Sequence, residues 1–408
     1  MSSNPKGPGI LSLPVIAAAL GYFVDIYDLL LFNILRIKSL GDLGLSTEEI
    51  DTKGEWILGL QMAGLLTGGI IWGILGDKKG RLRVLFGSIV IYSVANVATG
   101  FVQNAEQYAL ARFIAGIGLA GELGAGITLV SELLRKEIRG IATSFVAALG
   151  ILGAVVAFYI SQHYHWRTCY FIGGGLGLAL LLLRIGVFES GMYNAMHANV
   201  SKGNFFKFFT DTHRFKKYLH SILLGLPTWY IVGILIAFSN KFGKDMGITA
   251  DVDPGRATMY AYIALSVGDI LAGLISQLLR SRKKTLYIYY ALSAVMLAAY
   301  FLQSPGESAQ TMYLICWGLG FSAGFWAIFV TMGAEQFGTN LRATAATTIP
   351  NMVRGALPLM LLLFNALQHW FSFVQSGWIT GIIVLAISVY SASQVEETFG
   401  KDLDYLEE

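Results

Sequence analysis

Apolar runs of about twenty residues recur from one end of this chain to the other, each long enough to cross a hydrocarbon layer roughly 30 Å thick. They fall at 12–36, 55–76, 84–102, 107–133, 140–162, 167–188, 218–239, 257–279, 285–302, 309–333, 342–366 and 375–394. In lipid the backbone has to satisfy its own hydrogen bonds, so the twelve runs predict an all-α membrane protein of twelve transmembrane helices. The charged fraction of 13% fits, since soluble domains carry roughly 25%. A net charge of +3 on scattered basic residues excludes nucleic acid as a partner. The run at 12–36 is too long for a signal-peptide core and has no small-residue cleavage pattern, so it reads as the first membrane helix. Cys169 and Cys316, the two cysteines, lie in or beside apolar runs and offer neither a disulfide framework nor a metal site.

An even number of spans puts both termini on one side, and basic residues select the side. Lys78, Lys79, Arg81, Arg83, Arg135, Lys136, Arg139, Arg280, Arg282, Lys283 and Lys284 all fall in connections that share a side with the N-terminus. Both termini are therefore expected in the cytoplasm, in a multi-pass protein of the plasma (inner) membrane. The longest interior connection is polar and basic, and it divides the chain into a first six-helix bundle (1–189), a cytoplasmic linker (190–217), a second six-helix bundle (218–394) and a tail (395–408).

The halves repeat one another. Glu132 precedes Arg139 by the same interval as Glu335 precedes Arg342, and Gly116, Gly118 and Gly124 answer to Gly318, Gly320 and Gly324. The segment Gly73-Ile-Leu-Gly76-Asp77-Lys78-Lys79-Gly80-Arg81-Leu-Arg83 is echoed from Gly273 to Lys284, where the acid and the glycine turn have been lost. A duplicated six-helix unit is a transporter layout.

The Gly73–Arg83 segment links helices two and three. Gly73 and Gly76 allow close helix approach, Gly80 permits a sharp turn, and Asp77 has cations of the same loop within reach. This segment resembles the signature loop of the major facilitator superfamily. Arg112-Phe-Ile-Ala-Gly116-Ile-Gly118 resembles helix four of proton-coupled members, Trp166-Arg167 the pair that opens helix six, Phe188-Glu189-Ser190 the Glu-Ser that closes it, and Glu397-Thr398-Phe-Gly400 the tail of the sugar and organic-ion branches. The resemblance implies two pseudo-symmetric bundles, a monomeric working unit and a latch that closes the cytoplasmic side. The gate it implies comprises Gly73, Gly76, Asp77, Gly80 and Arg81, with Glu132, Arg139, Glu189, Glu335 and Arg342. Helix five lacks the Gly-Pro step of drug antiporters and helix seven lacks the paired glutamines of sugar porters. Both departures point to symport of something other than a hexose.

Charges at mid-bilayer are the next signal, because each costs about 2.5–3.5 kcal/mol on insertion scales. Asp25, Glu122, Asp269 and Arg354 fall near the midpoints of helices one, four, eight and eleven. Asp28 lies one turn from Asp25 on the same face, and Arg112 can meet it if helices one and four share a cavity. Two carboxylates a turn apart share repulsion and desolvation, which suits them to load and release a proton near neutral pH. Asp25, Asp28, Glu122 and Arg112 are thus the proton-coupling candidates. Gly21-Tyr-Phe-Val-Asp25-Ile-Tyr-Asp28 also resembles the Asp-x-x-Asp segment of aromatic-acid and metabolite proton symporters.

Arg354 has no acid within a turn on its own helix, so its counter-charge is either Asp269 or a substrate carboxylate, which guanidinium grips with two parallel hydrogen bonds. Tyr22, Tyr27, Trp229, Tyr230 and Trp326 are candidate cavity aromatics, and Gln61, Asn351 and Asp269 candidate polar contacts. No Ser/His/Asp set, zinc spacing or phosphate loop is present, so neither enzyme chemistry, nor a metal, nor a cofactor is expected. A channel is the rival reading, against which the duplicated halves and the latch favour alternating access. The leading expectation is proton-coupled symport of a small organic anion, ahead of uptake of a neutral solute such as a sugar or nucleoside, and of drug efflux.

Overall fold

The structure, a computed structural model, describes residues 9, 11–134, 136–183, 204–402 and 405, with nothing beyond the backbone at positions 81, 131, 132, 136, 137, 139 and 140. Among the described residues there is no strand, and eleven helices are long and apolar enough to cross a membrane. These are α1 (Leu13–Asp42), α2 (Thr47–Lys79), α3 (Leu82–Thr99), α4 (Ala105–Val130), α5 (Ile141–His163), α6 (Trp166–Leu183), α7 (Thr212–Ile236), α8 (Pro254–Leu279), α10 (Ala309–Glu335), α11 (Arg342–Leu367) and α12 (Phe373–Gln394). The remaining expected span is the helix α9 (Arg282–Phe301). Its basic start and its tyrosines 287, 289, 290 and 300 lower its mean hydropathy, although a tyrosine ring suits a membrane interface.

α1 and α2 run beyond their apolar stretches, α1 to Asp42 and α2 from Thr47. Hydropathy marks where the bilayer ends, whereas the helix start is set by a cap. Ser46 Oγ accepts from the Glu49 amide while Glu49 Oε2 accepts from the Ser46 amide, a reciprocal arrangement that satisfies two donors of the first turn.

α2 packs on α4, α3 on α4 and α6, and α1 on α5 in the first half, while α8 packs on α10 and α9 on α12 in the second. The halves meet along two seams, α2 with α11 and α5 with α8. Absent side chains set the closeness of these helices: a methyl on Gly324 of α10 would meet the Gly268 backbone of α8.

Several spans are interrupted at mid-depth. α4 breaks between Leu119 and Glu122, α5 between Ile151 and Gly153, α10 between Ser322 and Trp326, and α11 between Gly355 and Leu357. α7 passes through Leu226–Tyr230 into a wider π turn at Ile231–Ile236. Glycine or proline punctuates each, at Gly121, Gly153, Pro227, Gly324 and Pro358, as kinked helices require. The breaks Ala120-Gly121 and Ala323-Gly324 are separated by the same interval as Glu132 and Glu335, so the repeat legible in the sequence extends to backbone geometry. Irregular backbone at membrane depth is tolerated where it lines a cavity.

Candidate functional site

The interruptions in α5, α7, α10 and α11 border a small cavity of about 20 Å³ lined by Tyr22 and Ile26 of α1, Ile151 of α5, Thr228 and Trp229 of α7, Tyr262 and Leu265 of α8, Trp326 of α10 and Arg354 of α11. Among these lining residues Arg354 is the one cation. The side chain is 1% exposed, its Nη1 donates to Asn351 Oδ1 at 3.1 Å, and its Nε has no partner among the described residues. The guanidinium carbon lies 5.9 Å from the Trp229 ring centre and 5.6 Å from that of Trp326, within range for cation–π attraction. Thr228 Oγ1 and Trp326 Nε1 are likewise buried without partners among the described residues, so the wall offers donors that the protein leaves open.

Asp25 lies one residue from the cavity-lining Ile26 and is wholly buried, with neither carboxylate oxygen hydrogen-bonded among the described residues. The charges that act on it through space are Arg354, Glu122 and Asp28. Burying a carboxylate without a hydrogen-bond partner is costly. Asp28 is different. Arg112 Nη1 donates to its Oδ1 at 2.9 Å, and Arg112 Nη2 reaches Asn96 Oδ1 at 2.7 Å and Thr99 Oγ1 at 2.8 Å. The guanidinium also rests 4.6 Å from the Tyr170 ring centre. α1 and α4 thus bring Asp28 and Arg112 together in a buried ion pair. Glu122 begins the second segment of α4, where its Oε1 accepts from Ser88 Oγ at 3.0 Å.

Five of the contact candidates that the sequence suggests, Asp269, Gln61, Asn351, Tyr27 and Tyr230, are not among the residues that line the cavity, and each has a local partner. Asp269 does not pair with Arg354: its Oδ1 accepts from the Ala327 amide at 3.0 Å and caps the second segment of α10, whose exposed N–H groups attract an anion. Gln61 donates to the Leu29 carbonyl at 3.0 Å, and Asn351 to the carbonyls of Ala120 at 2.9 Å and Thr347 at 2.8 Å. Tyr27 donates to the Cys169 carbonyl at 2.9 Å and Tyr230 to that of Gly377 at 2.6 Å. A polar atom in a helix bundle is most readily satisfied by a neighbouring backbone, a choice that spacing does not reveal. Tyr262 is a lining residue that the sequence reading misses, although it lies two turns from Asp269 on one face of α8 and was within reach of the same reasoning.

At one end of the molecule Asp77 bridges the halves. It is fully buried, and it accepts from the Ala343 amide at 3.2 Å, the Thr344 amide at 2.8 Å and Thr344 Oγ1 at 2.5 Å. A carboxylate thus sits on the N-terminus of α11, where helix polarity favours it. Gly73 abuts Thr344 and Thr348, Gly76 faces Ala343, and Gly80 carries a φ of 97° that a side chain would strain. Arg342 opens α11 and is buried, while Glu335 accepts from Arg282 Nη2 at 2.8 Å. The side chains of Arg81, Glu132 and Arg139, and the whole of Glu189, lie outside the described residues. Outside the spans at this same end, Glu397 accepts from Ser281 Oγ at 2.5 Å and from the amides of Arg282, Lys283 and Phe399. Burial raises its carboxyl, and these hydrogen bonds outweigh burial and hold it below the ordinary glutamate value.

At the opposite end the halves are held by a half-exposed pair, Lys241 with Asp51 at 3.2 Å, and by Arg36 lying 5.1 Å from the Phe238 ring centre. An open groove of about 540 Å³ lies there between Ile37, Thr47, Asp51, Lys241 and Lys244. One end is closed by buried hydrogen bonds, and the other by a half-exposed ion pair and a buried cation–π contact beside a groove.

Two duplicated bundles around a central cavity, with a hydrogen-bonded closure at one end, define a multi-pass membrane transporter. The Major Facilitator Superfamily profile matches residues 18–359, and the chain belongs to that family. It is 23% identical to the niacin transporter NiaP of Acinetobacter baylyi, over 94% of each chain. It is also 23% identical to the gentisate transporter of Corynebacterium glutamicum, over 96% of this chain and 90% of that one. Among solved structures, the proton:xylose symporter XylE superposes with a TM-score of 0.75 at 16% identity, over 96% of this chain and 97% of the other.

Proposed function

We propose that this transporter carries a small aromatic carboxylate into the cell together with a proton. The observation that carries this reading is Arg354, a buried cation between two indole rings on a cavity wall, with no acidic partner among the described residues. A substrate carboxylate would supply the missing charge, and Tyr22, Trp229, Tyr262 and Trp326 give flat apolar surfaces for an aromatic ring. Relatives named for niacin and gentisate transport support the same chemistry. A sugar is less well served, because Gln61 and Asn351, the amides that would read hydroxyl groups, donate to backbone carbonyls and do not line the cavity.

Coupling follows from charge. Arg354 acts on Asp25 through space, and a carboxylate bound to the guanidinium offsets that field, so anion and proton enter together. Asp77 and the start of α11 form the cytoplasmic gate, on the side that the basic residues assign to both termini, and the groove beside Lys241 opens outward. The working unit is the monomer, in the plasma membrane.

A thermal-shift comparison of benzoate, benzamide and xylose tests the substrate class, because a ligand that favours the folded state raises the melting midpoint. Benzoate alone should raise it. An equal rise with benzamide removes the carboxylate, and a rise with xylose alone removes the aromatic acid.

A further inference from the structure

Asn351 stands on α11 one turn before Arg354, and its amide is fully used. Nδ2 donates to the carbonyls of Ala120 at 2.9 Å and Thr347 at 2.8 Å, and Oδ1 accepts from Arg354 Nη1 at 3.1 Å. The partners fix its orientation, since the reverse would set an oxygen against two carbonyls and an NH2 against a guanidinium. Ala120 belongs to the other half, at the break in α4 beside Glu122, and Glu122 is one of the charges acting on Asp25. One buried amide therefore joins the cavity cation of the second half to the proton-side helix of the first.

Gly69 of α2 makes room for this contact. A Cβ there would lie 2.8 Å from Asn351 Cβ and 3.1 Å from its Nδ2. The same α2–α11 seam runs on to Asp77 and Thr344, so opening the Asp77 end has to part it and break the bond from Asn351 to Ala120. We propose that Asn351 is a positioning residue that ties the setting of Arg354, and hence its grip on an anion, to closure of the Asp77 end. The inference rests on the reading of Arg354 as the carboxylate site. With the seam closed, Asn351 is anchored and turns the free edge of the guanidinium to the cavity. With the seam parted, Asn351 keeps only its own helix as a partner, and Arg354 loses a fixed setting. Affinity that differs between two states is what lets a ligand bind in one and leave in the other.

The test needs a readout that does not depend on the substrate. Spin labels at positions 79 and 284, exposed on the two halves at the Asp77 end, report its opening, and the native Cys169 and Cys316 are buried away from labelling. Without ligand, Asn351→Ala and Gly69→Ala should each raise the open population at least threefold. In proteoliposomes Asn351→Ala should lower benzoate accumulation driven by a pH gradient at least tenfold, while counterflow falls less than threefold. Asn351→Asp places a carboxylate beside Arg354 and should abolish benzoate binding. Label distances unchanged in both seam variants, or accumulation and counterflow falling together, would overturn the proposal. A wild-type protein that neither binds nor accumulates benzoate sinks the substrate reading instead, and the label distances then decide the role of Asn351 alone.

Discussion

Replacing Arg354 by lysine keeps the charge in the cavity and removes its fork. The native guanidinium gives Nη1 to Asn351 and leaves Nε without a partner among the described residues, so a substrate carboxylate is met by a planar pair of donors. A lysine ammonium is a point charge that meets one carboxylate oxygen. Losing one charge-assisted hydrogen bond is worth about 1.5–3 kcal/mol, and each 1.4 kcal/mol is about tenfold in affinity. The dissociation constant for benzoate should therefore rise by between about 10-fold and 150-fold. Trp229 and Trp326 flank the site, so quenching of tryptophan fluorescence during a titration reads the constant directly. Because Arg354 makes no ion pair among the described residues, the unliganded variant should melt within a few degrees of the wild type. Affinity for benzoate within threefold of wild type would refute the bidentate grip, and an equal loss for benzamide would show that Arg354 shapes the cavity without gripping charge.

Asp25→Asn should abolish accumulation of substrate driven by a pH gradient while exchange survives, and a variant that still concentrates substrate would move the proton to another carboxylate, with Glu122 next. Asp77→Asn weakens the acceptor at the start of α11 and should slow transport several-fold; normal transport kinetics would remove Asp77 from the gate. Glu397 is held below its unfolded value, so it contributes stability above that value, about pH 4.3, and loses it as pH falls through the folded value. Glu397→Gln should flatten the acid-side decline in melting temperature, and identical profiles for variant and wild type would remove the capping role.

The fold was largely legible because lipid leaves so few options. Apolar runs of spanning length, a repeated glycine and charge register, and the Gly73–Arg83 loop sufficed, and α9 escapes a hydropathy criterion only through its tyrosines and basic start. The Asp28–Arg112 pair was legible as well, since two opposite charges in adjacent membrane helices have few other partners. The cavity was legible in part. Tyr22, Trp229, Trp326 and Arg354 reach it, whereas the hydroxyls of Tyr27 and Tyr230 and the amide nitrogens of Gln61 and Asn351 donate to backbone carbonyls. Which way a helix face turns depends on breaks such as Ala120-Gly121 and on the π turn of α7, which rotate the following residues by an amount that no spacing rule supplies. The place of Asp269 depends on such a break too: the one in α10 creates a helix N-terminus, and the Asp269 carboxylate caps it.

The central claim is that anion and proton cross together by alternating access, and it is tested most directly with purified protein in liposomes preloaded at pH 7.5 and diluted to about pH 6. The account predicts that radiolabelled benzoate rises above its equilibrium level through the protein, collapses on addition of a protonophore, and exchanges faster when unlabelled benzoate waits inside. Uptake that only equilibrates, ignores the protonophore and shows no acceleration by internal substrate would contradict it.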